Sequence, residues 1–317
     1  MRTLTIVCPV YNEEEAIAEF QAELGRVLAT LAGGWSVTTL FVVDRGTDRT
    51  LELLRGIAAR DPSVRVLALS ARFGQQMALR AGLDHADSDA VLMMDSDLQH
   101  PPSLIPDLLA GLDRGYDIVY TIREDAADLS LLKRLGSRGF YRLINALSET
   151  RIPEGAADFR AISRRVVEVF RHRIPERRPF LRGLFAWVGF RSMAVRYHPG
   201  RRRAGRTKYS LRRMIRLCLD AIVSFSRVPL QAATSLGVLI LGVGLASGLV
   251  ALARWWLGGA SPAGWVVVAV LLGVLGGAHL VFLGILGEYL GVVLDEVQAR
   301  PHYLVEERIN FEDAAPR

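Results

Sequence analysis

The chain has 317 residues, half of them hydrophobic, with a formal net charge of +6, a pI near 9.7 and a mean hydropathy of +0.23. That hydropathy is high for a wholly water-soluble protein, and two cysteines, Cys8 and Cys218, are too few for a disulfide framework or a cysteine-built metal site. The basic balance alone would suit nucleic acid, but the Lys and Arg gather next to an apolar run, where anionic headgroups or phosphate are the better-matched partners.

The first elements alternate. Residues 3–9 form a short apolar run ending in Pro9, the pattern of a buried parallel strand. Asn12 and three following acids then predict a helix start, with Ile17, Phe20, Leu24, Val27, Leu28 and Leu31 as its apolar stripe. Strand 38–43, helix 50–60, strand 64–69, helix 75–85 and strand 90–94 follow. This alternation predicts a parallel sheet with helices on both faces. Ligands of such sheets bind beyond the carboxyl ends of the strands. The polar clusters Tyr11-Asn12-Glu13, Asp44 and Asp95 to His100 all fall at those ends, which points to one site. Beyond Tyr120 the pattern is weaker: a helix over 129–147, a strand or helix over 158–170 and an extended stretch over 185–197.

From Arg177 to Leu219 there are 13 Lys or Arg and no Asp or Glu. Residues 211–228, with Arg212, Arg213 and Arg216, read as an amphipathic helix lying on a membrane surface. Two stretches without a charged residue follow, 228–253 and 255–287. About 20 apolar residues cross the ~30 Å hydrocarbon core, so each stretch is long enough for one span. Arg254, Trp255, Trp256 and a Gly-Gly-Ala-Ser-Pro turn between them suit a hairpin tip. Positively charged flanks stay in the cytoplasm, which places both termini there. The start of the chain does not read as a signal peptide, because Met1-Arg2 leads at once into a strand. His279 inside the second span reads as a packed side chain, and Gly242, Gly244, Gly248, Gly273, Gly276 and Gly277 permit close helix contact.

The sharpest chemical signal is Met93-Met94-Asp95-Ser96-Asp97-Leu98-Gln99-His100-Pro101-Pro102. Two carboxylates in the turn after a buried strand can converge on a hard divalent cation. Mg²⁺ or Mn²⁺ takes a few carboxylates plus substrate phosphates, and Gln99 offers a neutral oxygen beside Asp95 and Asp97. Such a site neutralises charge building on a diphosphate leaving group.

Val10-Tyr11-Asn12-Glu13, Asp95-Ser96-Asp97-Leu98-Gln99, Asp158-Phe159-Arg160 and Gly205-Arg206-Thr207-Lys208-Tyr209 together resemble the family-2 polyisoprenyl-phosphate glycosyltransferases, which include dolichyl-phosphate mannose synthases and bacterial undecaprenyl-phosphate sugar transferases. The resemblance covers almost the whole chain. The two spans and the segment from Leu286-Gly287-Glu288-Tyr289 to Ala299-Arg300-Pro301 are most similar to the bacterial branch.

The resemblance implies an α/β nucleotide-diphospho-sugar transferase domain (GT-A, Rossmann-like) over 1–210. The amphipathic helix 211–228, two membrane helices near 230–253 and 264–287 within 229–290, and a cytoplasmic tail over 291–317 complete the expected layout. It also implies roles. Pro9, Tyr11, Glu13, Val42 and Asp44 would line the nucleoside pocket, with Asp44 reading the base edge and Asp95 and Ser96 meeting the nucleotide sugar. Asp97 and Asp158 would be catalytic, Asp158 as base or as an orienting group. Arg123, Arg202, Thr207 and Lys208 would bind the lipid phosphate. The implied reaction is inverting transfer of a hexose, UDP-glucose being the favoured donor, to undecaprenyl phosphate at the cytoplasmic face, by an oligomer that the resemblance makes a tetramer. GDP-mannose or a modified UDP-pentose is the alternative donor. A processive polysaccharide synthase and a non-catalytic membrane scaffold are the rival classes.

The chain departs from the family where Asp-Asp-Gly-Ser is usual and Val43-Asp44-Arg45-Gly46 stands, and where Arg-Asn-Phe-Gly becomes Ala71-Arg72-Phe73-Gly74. Before Asp158, Gly155 replaces an acid and Ala157 a glycine.

Overall fold

A computed structural model describes residues 1–124, 153, 155–176, 180–198 and 264–311, with scattered helical positions between 235 and 257. The expected helices over 129–147 and 211–228 lie outside the described residues, and so does most of the first expected span.

The chain opens with β1 (Arg2–Val10), α1 (Ile17–Leu31), β2 (Trp35–Val43), α2 (Thr50–Ala58), β3 (Val64–Leu69), α3 (Gln75–His85) and β4 (Ala90–Met93). Then come a 3₁₀ turn (Pro102–Leu104), α4 (Ile105–Asp113), β5 (Ile118–Arg123), β6 (Ala156–Ser163), α5 (Arg164–Arg173), α6 (Leu181–Trp187) and β7 (Ser192–Tyr197). The last elements are α7 (Gly264–Gln298) and β8 (Val305–Ile309). Eight strands form one sheet in the order β7-β5-β6-β4-β1-β2-β3-β8.

β4, β1, β2 and β3 are mutually parallel, as the alternating pattern predicts. The sheet as a whole is mixed, because β6 runs antiparallel to β4 and β5, and β8 runs antiparallel to β3. Successive strand residues face opposite sides. In β1, Leu4, Ile6, Cys8 and Val10 join Ile17, Phe20 and Leu24 of α1, Leu54 of α2 and Leu108 of α4 in one buried cluster. On the other face Val7 meets α3, where Gly82 approaches so closely that a Cβ there would collide with the valine.

Three expectations need correction. α1 begins at Ile17, not at Asn12, which instead takes a left-handed backbone (φ 52°) and ties down the loop after β2. Residues 185–187 finish helix α6, and only Ser192–Tyr197 is strand. The segment read as a tail from 291 onward holds the end of α7 and then β8, which pairs with β3.

β8 belongs to the same compact unit as the sheet, whereas α7 belongs to a second one. Within α7, the segment Val274–Gln298 contains an 18-residue stretch with a mean hydropathy of 1.7. Among the described residues it is the one helix long and apolar enough to cross a membrane.

β8 is held by more than its ladder. Glu307 forms an ion pair with Arg55 of α2 at 2.5 Å. The Asn310 amide donates to the carbonyls of Ala58 and Val64, both at 2.8 Å. Just before the strand, the Tyr303 hydroxyl donates to Asp84 of α3 at 3.2 Å.

Candidate active site

The carboxyl ends of β1, β2 and β4 lie side by side, so the loops after them share one rim. Pro9 is tolerated in a central strand because β4 ends at Met93, opposite Val7, and demands no amide from it. The Pro9 carbonyl accepts from the buried Ser96 hydroxyl at 3.4 Å. The Asn12 side chain accepts from the Thr47 amide at 2.9 Å and donates to the Thr47 hydroxyl at 3.2 Å. Gly46 lies against that asparagine so tightly that any side chain would displace it. The Glu13 amide donates to the Thr50 hydroxyl, joining the first loop to the second.

After β4 the chain turns sharply. Asp97 accepts the Gln99 amide two residues on (3.1 Å), an Asx turn that throws Leu98 into the left-handed region at φ 63°. Such a backbone costs a leucine on the order of 1 kcal/mol, and strain of this kind concentrates at functional turns. The Gln99 amide nitrogen donates to Asp97 at 2.6 Å, and its oxygen accepts from Arg123 of β5 at 3.2 Å. Gln99 therefore links Asp97 to Arg123, with its oxygen toward the arginine.

Asp95 accepts from Gln75 at 2.8 Å, and its own amide donates to Nδ1 of the buried His100 at 2.9 Å. His100 stacks on Phe159 with ring centroids 5.1 Å apart. Burial pushes the Asp95 carboxyl up; His100 opposes the shift, while the charges of Asp158 and Asp97 add to it. The Asp95 carboxylate thus lies close enough to those of Asp97 and Asp158 to feel their charge.

Asp158 stands beside it on β6. Arg182 of α6 grips both of its oxygens, at 2.9 and 2.8 Å, and Arg160 adds a second charge at 3.8 Å. Burial pushes this carboxyl up, but Arg182 and Arg160 outweigh it and hold the group down at about 2. The Arg160 guanidinium lies over the Phe185 ring at 4.3 Å.

Further along the rim, a cleft of about 240 Å³ opens at the ends of β2 and β3, lined among others by Asn12, Val43, Asp44, Arg45 and Glu306. Asp44 is buried, and its two oxygens accept the amides of Phe73 (2.6 Å) and Gly74 (2.9 Å). It fixes the turn into α3, whose Gly74 has φ 92°. Asp44→Ala is expected to destabilise the protein by about 1–3 kcal/mol, the usual cost of orphaning buried donors, read as a lowered thermal midpoint.

The sequence profile of glycosyl transferase family 2 matches residues 5–170. The chain is also 36% identical over 309 residues to the uncharacterized glycosyltransferase YkcC of Bacillus subtilis, with 98% of this chain and 95% of that one covered. This protein belongs to glycosyl transferase family 2. The uncharacterized glycosyltransferase sll0501 of Synechocystis is 38% identical across 96% of the chain and 95% of its own. A bactoprenol glucosyl transferase from a prophage of Shigella flexneri is 36% identical across 96% and 97%. Among solved structures, a mannosyltransferase from Pyrobaculum calidifontis in complex with GDP-Man and Mn²⁺ aligns with a TM-score of 0.47 at 18% identity, covering 95% of this chain and 88% of that one. That likeness is too loose to carry an argument, and the fold assignment rests on the family profile and the sheet.

In this glycosyltransferase the donor set fits a hard divalent cation. Asp95 and Asp97 are close enough to feel each other's charge, and among the described residues no third metal-binding side chain joins them in a cluster. Two carboxylates with the remaining positions left to water and substrate phosphate is how Mg²⁺ or Mn²⁺ is usually held.

The structure brings Asp95, Ser96, Asp97, Gln99, Arg123 and Asp158 into one neighbourhood, with Pro9 near the end of β1 and Tyr11 and Glu13 on the loop that follows it. Val42 is fully buried in the sheet, and Val43 is the one that reaches the cleft. Arg202, Thr207 and Lys208 lie outside the described residues. Residue patterns did not single out Arg182, Gln75 or Glu306. Arg182 is hidden among 13 Lys and Arg, and a glutamate on an edge strand carries no motif.

Proposed function

We propose that this enzyme transfers glucose from UDP-glucose to undecaprenyl phosphate at the cytoplasmic membrane face, with inversion at the anomeric carbon. The observation that carries this reading is the near full-length identity to bactoprenol glucosyl transferases, 36% over 303 residues.

The acceptor is a phosphate monoester, mostly dianionic at neutral pH because its second pKa lies near 6. Its oxygen is already a nucleophile. Attack forms a bond from that oxygen to the anomeric carbon and breaks the bond to the diphosphate on the opposite side, which inverts the centre. No side chain has to remove a proton, and this agrees with Asp158, which is ionised and bound through both oxygens to Arg182. Asp158 is better suited to orienting Arg182 toward the reacting groups. Arg123, held by Gln99 beside Asp97, is placed to guide the incoming phosphate. A divalent cation at Asp95 and Asp97 would neutralise the charge on the departing nucleoside diphosphate.

Chain connectivity supports two membrane crossings. β8 follows α7 and rejoins the sheet begun by β1. If α7 crosses once, the segment before it has to cross as well, which agrees with the apolar run over 228–253. The basic stretch before that run favours the cytoplasmic side for the sheet.

The test is incubation of the purified full-length protein with undecaprenyl phosphate, Mn²⁺ or Mg²⁺, and labelled UDP-glucose, GDP-mannose or a UDP-pentose. Chloroform-extractable label from UDP-glucose is expected. Label from GDP-mannose alone would replace the donor, and label in a water-soluble polymer would replace lipid glycosylation by chain synthesis.

A further inference from the structure

The cleft beyond β2 and β3 has a contributor from the far end of the chain. Glu306, the second residue of β8, lines it together with Asp44, Arg45 and Asp48. The pairing of β8 with β3 is irregular at this point. Ala68 faces Glu307 and Leu69 faces Val305, so Glu306 is the extra residue of a bulge. Bulges re-aim a side chain that strict alternation would direct elsewhere, and they recur beside active sites. Its neighbour Glu307 turns to Arg55 on α2.

The three acids of the cleft are not equivalent. Asp44 is committed to the amides of Phe73 and Gly74. Asp48 accepts from the Glu14 amide and from the amide and hydroxyl of Thr50. Glu306 is exposed and has no hydrogen bond among the described residues. Beside it Arg45 donates one N–H to the Ser70 carbonyl at 2.8 Å, and the Ser70 amide donates to the Leu304 carbonyl at 2.9 Å. Arg45 and the start of β8 are thus tied to the same residue, and the guanidinium keeps further donors for the cleft. A cleft with three carboxylates and one arginine disfavours a diphosphate and suits a neutral group that carries N–H and carbonyl on one edge.

Position decides which part of the donor that is. The acid pair that would bind the phosphates follows β4, and β8 lies four strands away in the order β4-β1-β2-β3-β8. At a strand spacing of about 4.8 Å that is roughly 19 Å across the rim. A nucleotide with its phosphates at Asp95 and Asp97 therefore sets its ribose over β1 and β2 and its base toward β3 and β8.

The geometry points to Glu306 as the residue that reads the nucleobase: its carboxylate accepts the ring N–H of uracil while Arg45 donates to a flanking carbonyl. This rests on the UDP-sugar reading above. It makes β8 part of the donor site, and it gives Arg45 a use at a position where the family usually has glycine.

The experiment is equilibrium binding of UDP and GDP to the full-length protein with Mn²⁺, repeated with N3-methyl-UDP and 2′-deoxy-UDP, for wild type, Glu306→Ala and Glu306→Gln. Wild type is expected to bind UDP at least about tenfold more tightly than N3-methyl-UDP, a difference of about 1.4 kcal/mol. Glu306→Ala is expected to weaken UDP about tenfold and to erase that discrimination, with Glu306→Gln falling between. An unchanged UDP affinity in a folded Glu306→Ala would overturn the inference. Loss of discrimination against 2′-deoxy-UDP in its place would move Glu306 to the ribose and overturn it as well. Wild type that binds GDP and not UDP refutes the donor reading, which is a separate outcome.

Discussion

Asp97→Ala is expected to lower glycosyl transfer by about a thousandfold or more while the thermal midpoint stays within a few degrees. A group that stabilises charge only as it develops in the transition state is worth on the order of 10²–10³ in rate, and a ligand to the cation that does so is worth at least as much. Asp97 sits on a turn, where it accepts the Gln99 amide and the Gln99 side chain, two bonds that span only two residues of sequence. The measurement is single-turnover transfer to undecaprenyl phosphate at saturating Mn²⁺, with UDP binding followed in parallel. Asp158→Asn should retain measurable turnover, because the proposed attack by a phosphate dianion needs no proton removed. Equal and complete loss in both variants, each folded, would make Asp158 an essential base.

The largest stability effect is expected at Arg182. Its removal leaves Asp158 charged and buried, with Arg160 at 3.8 Å as the remaining ion-pair partner among the described residues. Breaking a buried pair by deleting one partner costs about 3–5 kcal/mol. Arg160 also helps to hold the Asp158 carboxyl down and remains in the variant, so the lower end is the better expectation. For a domain of this size the thermal midpoint of Arg182→Ala should fall by roughly 10 °C at pH 7. The pH dependence has a definite sign. A carboxyl depressed to about 2 contributes its full stability above its unfolded value of 3.8 and loses it as pH falls through 2. The gap between wild type and Arg182→Ala should hold constant from pH 8 to about 5 and close only in stronger acid. A gap that closes near neutrality would mean that another pair is responsible.

The parts of the fold visible in the residues are those where periodicity and chain-local punctuation coincide. The predicted limits of 64–69 and 75–85 match β3 and α3, because β3 is a mostly apolar run and α3 starts directly after Gly74. The start of α1 was misleading because Asn12 followed by acids is also what a loop cross-linked to Thr47 requires. β8 was invisible for a different reason. Val-Glu-Glu-Arg-Ile has only two apolar residues, and an edge strand packed on one side needs no more. In the candidate site, Asp95 and Asp97 stood out because two acids in the turn after a buried strand form a pattern local in sequence. Arg182 and Glu306 were not, because each meets its neighbours only through sheet topology, across 24 residues to Asp158 and more than 200 to Leu69.

The order of synthesis gives the β3–β8 pairing a further consequence. β3 emerges early from the ribosome, but its partner is made only after the whole of α7. Until then the β3 edge presents unpaired amides and carbonyls, which other chains can join. The nascent sheet is thus exposed to aggregation until α7 and β8 have been made. A pause before β8 is made would leave a sheet one strand short, the kind of intermediate that chaperones and proteases act on.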